Sequence, residues 1–223
     1  MIEAKNIHKS YGKLHVLKGV DLMVKKGEIV SIVGKSGAGK STLLHILGTL
    51  DWADTGQLII DGQDLQATRG RKLAAFRNRH IGFIFQFHHL LPEFDAVDNV
   101  CMPAFIAGTQ ADQARTRAEE LLDYLGLGDR LGHKPTELSG GEQQRVAVAR
   151  ALMNNPAIVF ADEPSGNLDT ASSESLHELI LNLRKDFDQT FVIVTHNMDL
   201  AAMSDRRLEM IDGRLASTQE SLT

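Results

Sequence analysis

The sequence is poor in residues that staple or stiffen a small scaffold. Its 223 residues include one cysteine, five prolines, one tryptophan and two tyrosines. A single thiol, Cys101, excludes an intrachain disulfide and leaves the redox compartment open. Lying within an apolar run, it reads as a small core residue. Excess basic charge is also missing. The chain carries 24 Lys and Arg against 29 Asp and Glu, a formal net charge of −5. That argues against a nucleic-acid binder held by bulk positive charge. No run approaches the roughly 18 to 20 uncharged apolar residues of a membrane span. The longest, such as Ile29–Val33 and Phe191–Val194, are strand-sized. Met1-Ile2-Glu3-Ala4-Lys5 shows no signal-peptide pattern. The expectation is a chain that stays where it is made and meets a membrane only through a partner, without inserting. What remains is ordinary globular composition, 43% apolar and 24% charged, suited to one domain or one domain with a sizeable insertion.

The first part reads as short strands and turns: Ile2–His8, Val16–Val24, then Gly56–Gly62 closed by an Asp-Gly hairpin signal. Between them, Glu28–Val33 is a strand, followed by a glycine-rich turn and a helical stretch, Lys40–Leu47. From Pro92 to Pro135 the signals are mainly helical, with Gln113–Tyr124 stopping at Gly126. A further helix is expected over Glu142–Met153. The last third alternates again: strand Ala157–Ala161, helix Ser172–Leu183, strand Phe191–Thr195, and a final hairpin in Arg207–Leu215. Apolar strands alternating with helices predict an α/β fold with a parallel sheet covered on both faces, and a helical insertion in its middle.

Two motifs carry chemistry on their own. Gly34-Lys35-Ser36-Gly37-Ala38-Gly39-Lys40-Ser41-Thr42 fits G-x-x-x-x-G-K-[ST], and it sits between a predicted strand and a predicted helix. The glycines let backbone N–H groups turn inward as an anion nest, and the helix points its positive end the same way. Lys40 supplies charge to the β and γ phosphates of ATP, and the Ser41 hydroxyl can ligate Mg²⁺. Downstream, the strand Ala157–Ala161 runs directly into Asp162-Glu163. Asp162 can hold Mg²⁺, and Glu163 can deprotonate a water that attacks the γ-phosphate.

A third motif is incomplete. Leu138-Ser139-Gly140-Gly141-Glu142-Gln143 opens the helix expected over Glu142–Met153. Ser139 and Glu142 have capping-box spacing, which is one explanation of the pattern. The two glycines also leave helix N-terminal N–H groups bare, an anion site without its own lysine. One full phosphate site and one half-site suggest that the half-site completes a site on another copy.

This set resembles the ATP-binding-cassette (ABC) ATPases over nearly the whole chain. The matching residues are Tyr11, Gly34–Thr42, Gln86, Leu138–Gln143, Asp162-Glu163, the loop Ser165–Asp169 and His196, in the family's order. The resemblance implies a P-loop ABC-cassette fold. It would have a parallel core sheet, an N-terminal antiparallel β subdomain, and a helical subdomain at about 92–155, all within one ATPase domain spanning 1–223. It implies that Tyr11 stacks on adenine, that Gln86 touches Mg²⁺ and the attacking water, and that His196 contacts the γ-phosphate. Asp169 would help join two copies, and Ser139, Gly140, Gly141 and Glu142 would meet ATP held by the opposite one. Two ATP molecules would then lie between head-to-tail chains.

The segment Gln86-Phe87-His88-His89-Leu90-Leu91-Pro92-Glu93-Phe94 narrows the resemblance. In the family this region begins the helical subdomain and forms the groove that grips a permease. Its wording resembles the branch that powers bacterial lipoprotein release, whose ATPases sit peripherally on the cytoplasmic face of the inner membrane. In that branch, Ser165 stands where threonine is usual. MacB-type efflux ATPases and FtsE-type cell-division switches belong to the same branch and share every catalytic residue. A chromosome or repair clamp would need a long coiled coil, and the 122-residue interval from Lys40 to Asp162 shows no sustained heptads. A translation-associated protein would carry two cassettes; one is present. His88 and His89 have no companion ligand at metal-binding spacing and read as structural or interface residues.

Overall fold

The computed structural model describes residues 1–220. The expectation of one domain over 1–223 includes residues 221–223, which lie outside the described residues. In chain order the strands are β1 (Ile2–Tyr11), β2 (Leu14–Val24), β3 (Ile29–Val33), β4 (Thr55–Ile60), β5 (Gln63–Asp64), β6 (Ile81–Phe85), β7 (Ile158–Asp162), β8 (Thr190–Val194), β9 (Arg206–Ile211) and β10 (Arg214–Glu220). The helices are α1 (Lys40–Leu47), α2 (Gly70–His80), α3 (Ala96–Ala107), α4 (Ala111–Tyr124), α5 (Gly140–Leu152), α6 (Thr170–Phe187) and α7 (Met198–Ala202). Short 3₁₀ turns at Gly128–Arg130 and Pro135–Glu137 lie between α4 and α5.

A four-stranded antiparallel sheet runs β2-β1-β4-β5, and a six-stranded sheet runs β10-β9-β3-β8-β7-β6. In the second sheet only the β9–β10 pair is antiparallel. Both Asp-Gly turns form as expected. Asp61 and Gly62 join β4 to β5, Asp212 and Gly213 join β9 to β10, and all four residues have positive φ. That is the geometry of a two-residue hairpin loop matched to strand twist.

The central strands β3, β7 and β8 are mostly apolar and almost entirely buried because both faces are covered. Along β8, Phe191 and Ile193 pack with residues of α3 to α6, while Val192 and Val194 pack with α1 and the antiparallel sheet. Period-two alternation thus divides one strand between two cores. Each fully buried side chain of this kind contributes about 1.5 to 3 kcal/mol. Cys101 is completely buried in the helical core, and burial pushes its thiol up to about 11, as befits an inert core residue. Among the described residues no helix is long and apolar enough to cross a membrane.

The sequence pattern did not reveal three elements. Helix α2 carries five basic residues and buries only Leu73 and Phe76. Strand β6 contains Gly82, and α7 is only five residues long.

A candidate nucleotide site at the carboxyl edge of the sheet

The loops that follow β3, β7 and β8 leave the sheet at one edge, as ligand sites in open α/β sheets require. Between β3 and α1 the chain needs φ of 149° at Gly34 and 105° at Gly39. A side chain at Gly34 would run into the Met210 carbonyl. Gly39 caps α1 without any side-chain bond, so no side chain occupies the first N–H groups of the helix. Lys40 Nζ donates to the carbonyl oxygens of Gly34 at 2.8 Å and Lys35 at 3.1 Å, folding over the loop. Lys35 itself is exposed, whereas Ala38 is packed in the core. The remaining expected loop residues, Gly34, Ser36, Gly37, Gly39, Lys40, Ser41 and Thr42, line a cavity of about 570 Å³ together with Tyr11, Glu163 and His196.

At the end of β7, Asp162 Oδ1 accepts from Ser41 Oγ at 3.1 Å. Burial raises the Asp162 carboxyl above its ordinary value, and the Ser41 bond and the nearby His45 oppose that rise. These two hard oxygens, one neutral and one acidic, fit Mg²⁺, which binds through few protein ligands and keeps several waters. Glu163 takes a left-handed backbone, φ 48°, and its N–H donates to Val194 O at 2.8 Å. The carboxylate meets His196 twice. Oε2 lies 2.8 Å from His196 Nδ1 and accepts from the His196 backbone N–H at 3.1 Å.

Gln86 follows β6, whose Phe85 is in register with Asp162. Its amide donates to Asn167 Oδ1 at 3.0 Å, and Asn167 donates back to the Gln86 carbonyl at 3.0 Å. Gln86 does not line the phosphate cavity. Ser139 and Glu142 form a reciprocal capping box on α5: Glu142 N–H donates to Ser139 Oγ at 3.2 Å, and Ser139 N–H to Glu142 Oε2 at 2.8 Å. The Ser139 N–H bond, aided by Arg130 at 3.0 Å, holds the Glu142 carboxyl below its ordinary value. Ser139 and Gly140 are exposed, and none of Ser139–Glu142 lines the phosphate cavity of its own chain. Asp169 caps α6, accepting from Ser172 N–H at 2.9 Å and Ser172 Oγ at 2.8 Å.

Sequence reading missed two residues that hold Tyr11. The phenol donates to Asp51 Oδ2 at 2.6 Å, and the Lys9 ammonium lies 5.0 Å from the ring centroid. Nothing in local pattern links residues 40 positions apart. Gln144 was also missed. It is fully buried, and its amide donates to Pro164 O at 2.7 Å and Phe85 O at 3.4 Å.

A second cavity of about 510 Å³ lies among α2, β6, α3 and α5, lined in part by Phe83, Phe85, His89, Ile106 and Arg150. Nearby, Phe87 and Ile106 are 65% and 75% exposed. Buried Asn99 ties the segment before α3, accepting from the Leu91 N–H and donating to the carbonyls of Leu91, Phe94 and Asp95.

The family model described as ABC transporter matches residues 17–166. The chain belongs to the ABC transporter family. Along 97% of its length this cassette is 62% identical to the lipoprotein-releasing system ATP-binding protein LolD of Porphyromonas gingivalis (strain ATCC BAA-308 / W83), covering 99% of that protein. It is 59% identical to LolD of Bacteroides fragilis (strain YCH46), over 96% of this chain and 100% of the relative. The dimeric post-hydrolysis structure of the ATP-binding cassette MJ0796 bound to ADP and Pi superimposes with a TM-score of 0.91 at 38% identity, covering 100% of both chains. The cassette fold expected from the resemblance is therefore the fold observed.

Proposed function

We propose that this cassette is the ATP-hydrolysing subunit of a bacterial lipoprotein-releasing transporter. It works as a pair of copies on the cytoplasmic face of the inner membrane, beneath LolC/LolE-like permease subunits. The observation that carries this reading is the near 60% identity to LolD proteins from end to end.

The site supports the chemistry in detail. The bare N–H groups of α1 and the Lys40 ammonium receive the β and γ phosphates of ATP. Lys40 exchanges its two carbonyl partners for phosphate oxygens. Ser41, Asp162 and Gln86 would hold Mg²⁺, which when bound would neutralise phosphate charge. Glu163 Oε1 takes a proton from water while the new P–O bond forms at the γ-phosphorus and the bond to the ADP oxygen breaks. His196 fixes the other carboxylate oxygen and so aims the base. Tyr11 offers its ring to adenine. Ser139, Gly140, Gly141 and Glu142 present the half-site to the γ-phosphate held by the second copy, and Asp169 lies beside them at the start of α6. Closure then depends on the γ-phosphate, and its loss opens the pair. The groove beside Phe87 and Ile106 receives an apolar helix of the permease.

The test is capture from solubilised membranes with ATP-loaded Glu163→Gln chain. A lipoprotein-releasing permease supports the proposal. An efflux or division-site permease refutes lipoprotein release and keeps the ATPase.

A further inference from the structure

The reading of Tyr11 as the base platform leaves a question that the family motif does not answer. Tyr11 ends β1 beside a two-residue turn, with Tyr11 paired to Leu14. The residue is half exposed. An aromatic ring at such a place would ordinarily sample several rotamers, and binding a base would cost the freedom it lost.

Here the ring is tied before any ligand arrives. Its hydroxyl donates to Asp51 Oδ2 at 2.6 Å. The other carboxylate oxygen, Oδ1, accepts from Lys9 Nζ at 2.9 Å and from the Trp52 N–H at 2.7 Å. Lys9, itself only 8% exposed, also donates to Trp52 O at 2.7 Å. The carboxylate is therefore oriented from three sides, and the Lys9 ammonium lies over the Tyr11 ring. The hydrogen bond to Asp51 is the chief reason the phenol is held above its ordinary value, so it stays a donor at neutral pH. Burial opposes ionisation of Asp51, but the bonds from Tyr11, Lys9 and Trp52 outweigh it and hold the carboxyl below its ordinary value.

Asp51 is also placed to transmit position. It follows α1, and its N–H donates to the His45 carbonyl in that helix at 3.2 Å. The helix whose first turn cradles phosphate thus carries, just past its last turn, the group that clamps the ring. The spacing between phosphate loop and base platform is then set by one rigid element.

We propose that Asp51, braced by Lys9, is a positioning residue that presets the Tyr11 ring for the nucleobase. The proposal rests on the nucleotide reading of the site, and it concerns the base alone. Disturbing the clamp weakens ATP binding while leaving the phosphate loop intact.

The experiment measures equilibrium binding of ATP and of inorganic tripolyphosphate to the full chain. Four proteins are compared: wild type, Tyr11→Phe, Asp51→Ala, and both together. Releasing one ordered side chain predicts about a three- to tenfold rise in the ATP dissociation constant for each single variant. The double variant should bind ATP no worse than Asp51→Ala alone, because the two act through one bond. Tripolyphosphate affinity should stay within about twofold throughout. Unchanged ATP affinity in Tyr11→Phe overturns the clamp, as does an equal loss for both ligands, which would mark a merely structural effect. Wild-type chain that binds tripolyphosphate and ATP equally well overturns a base platform altogether. Failure of the wild type to bind ATP overturns the nucleotide reading itself and the clamp with it. Should Asp51→Ala strip Lys9 of its partner and unfold the chain, Tyr11→Phe still decides, since it removes one hydroxyl from a half-exposed ring.

Discussion

Replacing Glu163 by glutamine separates binding from chemistry. The carboxylate uses Oε2 for His196, through the 3.1 Å backbone bond and the 2.8 Å imidazole contact. Glu163 lines the phosphate cavity, and among the described residues its Oε1 makes no hydrogen bond, which leaves that oxygen free to act as the proposed base. A glutamine can keep the anchor, because its amide oxygen accepts from the same backbone N–H. It cannot take a proton from water. General-base catalysis contributes roughly 10² to 10⁴ in rate, which corresponds to about 2.7 to 5.4 kcal/mol of barrier. The phosphate loop is untouched, and one negative charge leaves the cavity, so ATP binding holds or tightens. Glu163→Gln should release phosphate about 10² to 10⁴ times more slowly in a single-turnover assay. Its ATP affinity should equal or exceed that of the wild type, and light scattering under saturating ATP should report a dimer. A hydrolysis rate within tenfold of the wild type would refute the assignment of the base. A persistently monomeric ATP-loaded variant would refute the shared site.

Other perturbations follow from the packing. In Gly82→Ala, the new Cβ would sit 2.5 Å from the Ala151 carbonyl of α5; forcing β6 from that helix should cost about 1 to 3 kcal/mol in denaturant titration. Gln144→Leu removes the amide from the carbonyls of Pro164 and Phe85. Leaving the buried Pro164 acceptor without this donor should destabilise by about 1 to 3 kcal/mol, and kcat should fall more than ATP affinity, because Pro164 follows Glu163, the proposed base. Burial holds the His177 and His88 imidazoles below the ordinary histidine range. The unfolded chain takes those protons near pH 6.5, so stability present above that value is lost as the pH falls below it. The thermal midpoint should therefore drop on acidification. His177→Gln, still able to bond the Ser165 hydroxyl, should flatten that profile.

Much of this was legible because the nucleotide edge is built from contiguous motifs. The phosphate loop announces itself by its glycines and by the strand and helix around it, and α1 spans the residues its pattern predicts. The Asp-Gly turns are equally local. Helix α2 escaped because it lacks every start signal: Arg69 caps it with no side-chain bond, and no acid occupies its first turn. Strand β6 escaped because Gly82 reads as a breaker, although close approach of α5 makes glycine the residue that fits there. The partners of Tyr11 were invisible for another reason. Tyr11 and Asp51 meet only after β1, the phosphate loop and α1 have folded together, and no periodicity records such a contact. Of the proposed site residues, the structure gathers those of the loop, Asp162, Glu163 and His196. It leaves Gln86 with Asn167 and places Ser139–Glu142 outside that cavity.

Gln144 ties these separated parts together. It lies one helical turn inside α5, whose N-terminus bears the proposed half-site. Its single amide group reaches the carbonyl after Glu163 and the carbonyl before Gln86. Its own Oε1 is buried without a partner, so no competing bond from that oxygen holds the side chain elsewhere. Rotation of α5 must either drag Pro164 and Phe85 along or leave the buried Pro164 carbonyl without this donor, at about 1 to 3 kcal/mol. Dragging is the cheaper course for a small displacement. Phe85 and Arg150 also line the groove proposed for the permease, and Arg150 donates to the carbonyls of His88 and His89 at 2.7 and 2.8 Å. With a permease docked as proposed, force at that groove would act on α5 directly, and through one amide it would reach the loop that carries Glu163, the proposed base.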